Sequence, residues 1–291
     1  MTTFEFYRFR FHFRAADPIH FPRGKSGNVV RGAFGAMLRA SASREAYARL
    51  FEPGTSLGKS PSGLADWPRP LVFRVAHLDG TTIEPGTRFS VDVHVFEMRS
   101  PVLATLRAAF AALVSYGIGP GRGRAELHCV EQIALDGQGI EIGRDPAEPS
   151  VISLDPFDPP TARVRVRFLT PTELKTAGVT AAKPDFQVLF SRLRDRISTL
   201  RALYGAGPLA IDFRSLGENA AAVRTIRTEL QWEDIVRRSG RTGQVHPLGG
   251  FTGEAEYEGD LAPFLPWLRA GHWVGVGRHT VWGKGDLVVI T

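Results

Sequence analysis

The chain has 291 residues, 43% hydrophobic and 23% charged, which is a globular composition with length enough for two domains and for cores that need no staples. Its one cysteine, Cys129, excludes an internal disulfide framework and a cysteine-based zinc site. Lys and Arg outnumber Asp and Glu by 36 to 30 and gather in a few stretches, which favours a polyanionic partner; the N-terminus alternates polar and apolar residues, unlike a targeting peptide, and no apolar run approaches the roughly 20 residues of a membrane span, so a cytoplasmic protein is expected.

In chain order, residues 7–14 set Tyr7, Phe9, Phe11 and Phe13 against Arg8, Arg10, His12 and Arg14, the pattern of a half-buried strand with a basic outer face. A Pro/Gly-rich loop with His20, Arg23 and Lys25 follows. Asn28 suits the N-cap of a helix over 29–41 whose inward stripe is Val30, Phe34, Met37 and Leu38. Residues 52–70 read as a loop, 71–78 and 88–97 as strands, and Pro101 opens a helix that ends in the glycine segment 117–124. A strand over 125–131 closes this half.

Repeated Asp-Pro pairs mark 143–161 as a linker. The pattern then restarts: a strand over 162–169 with Arg163, Arg165 and Arg167 outward, a helix over 185–204, and strands near 222–233 and 248–258. A helix over 261–270 lies between an Asp260 cap and a Gly271 stop. Glycine segment 275–285 and the strand 286–290 end the chain. Two βαββαβ passes predict an α+β protein of two tandem ferredoxin-like (RRM-like) domains with glycine-rich loops, 1–142 and 162–291.

The glycine segments are not dinucleotide fingerprints, because a helix precedes and a strand follows the first of them. Each is either a tight connection that needs glycine backbone freedom or, beside Arg122 and Arg124 or Arg278, His279 and Lys284, an anion-binding concavity. Trp282 either packs on the body or stacks a base. Exposed strand faces are often charged for solubility alone, so the arginine stripes admit that reading beside an RNA-binding one.

Several stretches carry a resemblance. They are Val29-Val-Arg-Gly-Ala-Phe-Gly35, Arg167-Phe-Leu-Thr-Pro-Thr-Glu-Leu-Lys175, Trp232 to Arg241, Leu248-Gly-Gly-Phe-Thr-Gly253, Gly259 to Pro266 and the loop 275–285. In this order they resemble the CRISPR-associated precursor-crRNA processing endoribonucleases of the RAMP superfamily. The resemblance implies two ferredoxin-like domains and metal-free cleavage of repeat RNA. In that chemistry the ribose 2′-hydroxyl attacks the adjacent phosphate, leaving a 2′,3′-cyclic phosphate and a 5′-hydroxyl.

Such chemistry needs a proton acceptor, a proton donor and cations around the transition state, and histidine serves the first two tasks near neutral pH. The first choice for the base is His20, with Lys25 and Arg31 on the phosphate; His279 is the second. Arg23, Arg237, Arg238, Arg241, Gly275, Gly277, Arg278, Trp282, Gly283, Lys284 and Gly285 are the expected RNA contacts. No metal and no cofactor is expected. The expected partner is single-stranded or hairpin CRISPR repeat RNA, with homodimerisation and association with a CRISPR effector complex as further expectations. Some relatives place a histidine or tyrosine just after the first helix, where this chain has Tyr47. That departure keeps open a non-catalytic RNA-binding RAMP subunit. A small-molecule enzyme on the same scaffold is a third alternative.

Overall fold

The computed structural model describes residues 2–55, 67–100, 102–156, 159–176, 178–238 and 245–290. They cluster into two compact units: Glu5–Val151 with Leu203–Ala206, and Met1–Phe4 with Ile152–Ala202 and Gly207–Thr291.

The N-terminal unit contains Thr3–Ala15 (β1), Ile19–His20 (β2), Ser26–Ser41 (α1), Arg44–Phe51 (α2), Leu71–Arg74 (β3), Thr82–Ile83 (β4), Arg88–Val95 (β5), Leu103–Ala111 (α3), Leu113–Tyr116 (α4), Ala125–Ile133 (β6) and Gly139–Glu141 (β7). Its antiparallel sheet runs β3-β5-β1-β6-β7, and Ser150–Ser153 (β8) also pairs with β1. Phe9, Phe11 and Phe13 of β1 are fully buried. Phe110 of α3 meets Phe11 at 4.4 Å, and Phe34 of α1 meets Phe110 at 5.0 Å and Phe73 at 5.2 Å. Helix α2 is pinned by Arg49, which pairs at 2.5 Å with the fully buried side chain of Glu97.

The C-terminal unit contains Arg163–Thr172 (β9), Lys175–Thr176 (β10), Val179–Thr180 (β11), Phe186–Tyr204 (α5), Phe213–Ala221 (α6), Arg224–Glu233 (β12), Val236–Arg238 (β13), Val245–Pro247 (β14), Gly250–Glu258 (β15), Leu265–Val274 (α7) and Leu287–Ile290 (β16). Its sheet runs β12-β15-β9-β16. The core gathers Phe186 and Phe190 of α5 against Phe264, Trp267 of α7 and Tyr257 of β15. Taking the sheet strands of each unit in chain order, both follow the order second, third, first, fourth. That is the antiparallel ferredoxin-like arrangement expected from the repeated βαββαβ pattern.

Local boundaries differ from the sequence reading for physical reasons. Helix α1 begins at Ser26, so Asn28 lies inside it; the capping carboxylate is Asp79, distant in sequence, which accepts from Gly24 N at 2.6 Å and Ser26 N at 3.1 Å. Gly271 does not end α7. It sits within the helix because a side chain there would press on Leu287 and Leu193, and the helix stops instead at Gly275, whose φ is +71°. Asp260 gives way to a 3-10 turn over Ala262–Phe264 ahead of α7. Helix α6 is an unexpected element, capped by Asp212 accepting from Arg214 N and Ser215 N.

Candidate RNA-binding site

The arginine stripes resolve first. On β1, Arg10 forms a bidentate pair with Asp92 of β5 and His12 meets Glu131 of β6 at 2.8 Å. On β9, Arg163 pairs with Glu258 at 2.7 Å, while Arg165 and Arg167 both pair with Glu254 of the neighbouring strand. These hydrogen bonds, that of Arg167 on Glu254 and that of Arg163 on Glu258, hold both carboxyls below the ordinary carboxylate range. Arg10 and the three arginines of β9 are held in cross-strand ion pairs, and the solubility reading describes them better than a bare phosphate-binding face does; Arg8 and Arg14 instead donate to the backbone oxygens of Ala134 and Gly86.

His20 ends β2, which pairs with β4 so that His20 lies opposite Thr82. The imidazole is exposed, with Nδ1 3.0 Å from Thr82 Oγ1. The first glycine segment folds directly against this rung. A Cβ on Gly119, whose φ is +79°, would come within 2.8 Å of the His20 carbonyl oxygen, so glycine is required there by close packing. Arg124 of the same segment is tied to Asp17 at 2.6 Å. The structure thus brings His20 beside glycine segment 117–124, a neighbour that sequence reasoning had not paired with it.

Arg23 and Lys25 are exposed in the turn that leads into α1. Arg31, one turn further on, is half-buried, with its guanidinium 4.1 Å over the Phe51 ring. That ring lies so close to Gly35 that a Cβ at Gly35 would collide with it. Tyr47 packs 5.5 Å from Phe51, and its hydroxyl donates to Glu52 Oε1 at 3.3 Å. Burial, then the nearby Glu52 charge, pushes the Tyr47 hydroxyl up from its ordinary pKa. Phe51 therefore joins Arg31 to Tyr47.

In the C-terminal unit the segment 275–285 is a compact hairpin. Val276 N donates to Gly285 O at 2.9 Å, and Gly285 N to Pro171 O at 3.1 Å. Gly275, Gly277, Gly283, Gly285 and the non-glycine His279 all have left-handed φ. Trp282 is half-buried, its ring 5.4 Å from that of His279 in an edge-on contact. Lys284 is buried and Arg278 exposed. The unpredicted member is Glu173, immediately after β9. It is 8% exposed, and its carboxylate lies 3.2 Å from Arg278 Nη1, 3.5 Å from His279 Nε2 and 3.9 Å from Lys175 Nζ. Burial, with Arg278 next and His246 and Lys284 adding to it against the opposing pull of Glu173, takes His279 from 6.5 down to about 4. Arg237 lies on β13 opposite His246, and Arg238 opposite Val245; Arg241 lies outside the described residues.

Among the described residues no helix is long and apolar enough to cross a membrane. Residues 166–287 match the family model of the CRISPR-associated endoribonuclease Cas6, and residues 4–152 match a second model described as an N-terminal domain. No curated protein matches the chain. Among solved structures, a Cas6 product complex is 18% identical with a TM-score of 0.60, over 98% of this chain and 99% of that one. Thermus thermophilus Cas6 is 17% identical with a TM-score of 0.57, over 98% of each chain. A partial Cas6-RT-Cas1–Cas2 complex is 13% identical with a TM-score of 0.59, over 98% of this chain and 46% of that one. At these identities the structural likeness speaks for the fold, and the matched family models speak for descent. The duplicated ferredoxin-like topology spans both units, and the glycine hairpin lies inside residues 166–287, the part of the chain that matches the CRISPR-associated endoribonuclease Cas6 family.

Proposed function

We propose that this chain binds CRISPR repeat RNA and cuts precursor CRISPR RNA by internal transesterification. The 2′-oxygen gives up its proton to the base and bonds to the adjacent phosphorus as the bond from phosphorus to the 5′-oxygen breaks, and the departing 5′-oxygen takes up a proton. The products are a 2′,3′-cyclic phosphate and a 5′-hydroxyl, and no metal takes part. The observation that carries the residue assignment is His20: an exposed imidazole at the end of β2, fixed through Nδ1 to Thr82, just ahead of the turn that holds Arg23 and Lys25. One ring nitrogen held by a neighbour leaves the other for proton transfer, the arrangement general acid–base chemistry needs. Lys25 and Arg31 are assigned to the phosphate. His279, held neutral by burial and neighbouring cations, suits an RNA contact in the glycine hairpin better than proton donation. In this reading the N-terminal domain, 1–142, carries the chemistry and the C-terminal domain, 162–291, holds RNA. A related Cas6 in complex with its product supports the reading, and another within a larger Cas1–Cas2 complex supports association with other CRISPR proteins.

The deciding experiment is cleavage of a CRISPR repeat RNA in EDTA, with and without a single 2′-deoxy substitution at the cut site. Cleavage of the all-ribose RNA alone is expected. A magnesium requirement, or cutting of the 2′-deoxy RNA, would remove this mechanism. One observation favours a second reading, a RAMP subunit that binds RNA and leaves it whole: Asp79 already occupies backbone N–H groups at the start of α1, where a phosphate would otherwise be welcome. Tight binding without product in a single-turnover assay would establish that reading instead.

A further inference from the structure

A carboxylate at the centre of a cationic RNA-binding loop repels the ligand, so its presence there requires a reason. Glu173 is such a group, and burial makes it costly unless it is paired. It is paired on every side. Its backbone oxygen accepts from Arg278 N at 3.0 Å. Its carboxylate accepts from Arg278 Nη1 at 3.2 and 3.3 Å and from Thr180 Oγ1 at 3.1 Å, with His279 and Lys175 within 4 Å. The backbone at Gly277 comes so near the Glu173 oxygen that a Cβ there would collide with it. The Arg278 side chain remains 46% exposed, so one edge of its guanidinium is tied down while the rest stays open to solvent.

We propose that Glu173 is the positioning residue of the glycine hairpin: it holds Arg278 in one orientation so that the open edge of the guanidinium meets an RNA phosphate without first being ordered. The inference rests on the function proposed above. Its consequence has an unusual sign. Glu173→Gln keeps the shape and adds one positive charge, which by bulk electrostatics alone tightens binding to a polyanion. Positioning predicts the opposite, because an arginine free to wander loses entropy when the phosphate fixes it.

The test is fluorescence anisotropy with a labelled CRISPR repeat RNA at fixed salt, on the full chain and its variants, with melting temperatures measured alongside. Glu173→Gln is expected to weaken binding about tenfold, the order of one charge-assisted hydrogen bond. In an Arg278→Ala background the same change is expected to have no further effect. Arg278→Lys, which keeps the charge and loses the fork, is expected to weaken binding with an unchanged melting temperature; it decides the matter if Glu173→Gln does not fold. Equal or tighter binding by Glu173→Gln, additive losses in the double variant, or wild-type affinity in Arg278→Lys overturns this inference alone. A wild-type chain that does not bind repeat RNA overturns the proposed function and this inference with it.

Discussion

His20 owes its position to two strands of two residues each, and a rung so short holds a side chain only because glycine segment 117–124 closes over its backbone. His20→Ala should lower the cleavage rate by about 10²–10⁴-fold, the usual share of a proton-transfer residue, with RNA affinity within about twofold; single-turnover kinetics beside a binding titration checks it. His279 gives a separate pH signature. Its folded-state pKa of about 4 lies below the ordinary 6.5, so between those values the unfolded chain takes up a proton that the folded chain refuses. Stability is therefore lost as pH falls from about 6.5 towards 4. His279→Gln should flatten that part of the curve, and its melting temperature should drop by roughly 2–4 °C less than wild type over the interval, measured by calorimetry at pH 7 and 4.5. The sequence offered eight histidines and a loop context for three of them, His20, His246 and His279. Burial and the company of Glu173, which separate His279 from His20 in chemistry, depend on folding and could not be read from spacing.

Elements were legible where periodicity was long and unbroken. The alternation of β1 and β9 and the stripe of α5 each appear where the pattern put them. What escaped was decided by contacts between distant residues. Asp79 displaced Asn28 as the cap of α1, and a glycine inside α7 proved to be a packing residue, because both depend on side chains tens of positions away. Helix α6 was readable in principle, since Asp212 is a preferred N-cap residue, but it is only nine residues long. The α1–α2 pair carries its own prediction. Gly35→Ala forces a methyl into the space of the Phe51 ring and should cost about 1–3 kcal/mol by overpacking, read by chemical denaturation. Because Arg31 lies over that ring, cleavage should fall further than the loss of folded protein explains.

At the scale of the whole chain, a formal net charge of +6 understates what an RNA meets and overstates how much of it is basic strand. With Arg10 and the three arginines of β9 tied to carboxylates, the proposed phosphate contacts fall to loops: the turn before α1 and the glycine hairpin. Repeat-RNA affinity should fall linearly in log–log terms with salt, by about tenfold or more between 50 and 200 mM. Arg167→Ala should leave the slope nearly unchanged, whereas Arg278→Ala should shallow it by about one. The order of strands in each sheet bears on how the protein is made. In both units the first strand synthesised ends up between the third and the fourth, so β9 leaves the ribosome well before either neighbour exists and waits with both flanks bare. Arg163, Arg165 and Arg167, which later share two glutamates, are then unpaired charges on a nascent hydrophobic strand, and like charges of that kind discourage chains on one polysome from adhering to each other.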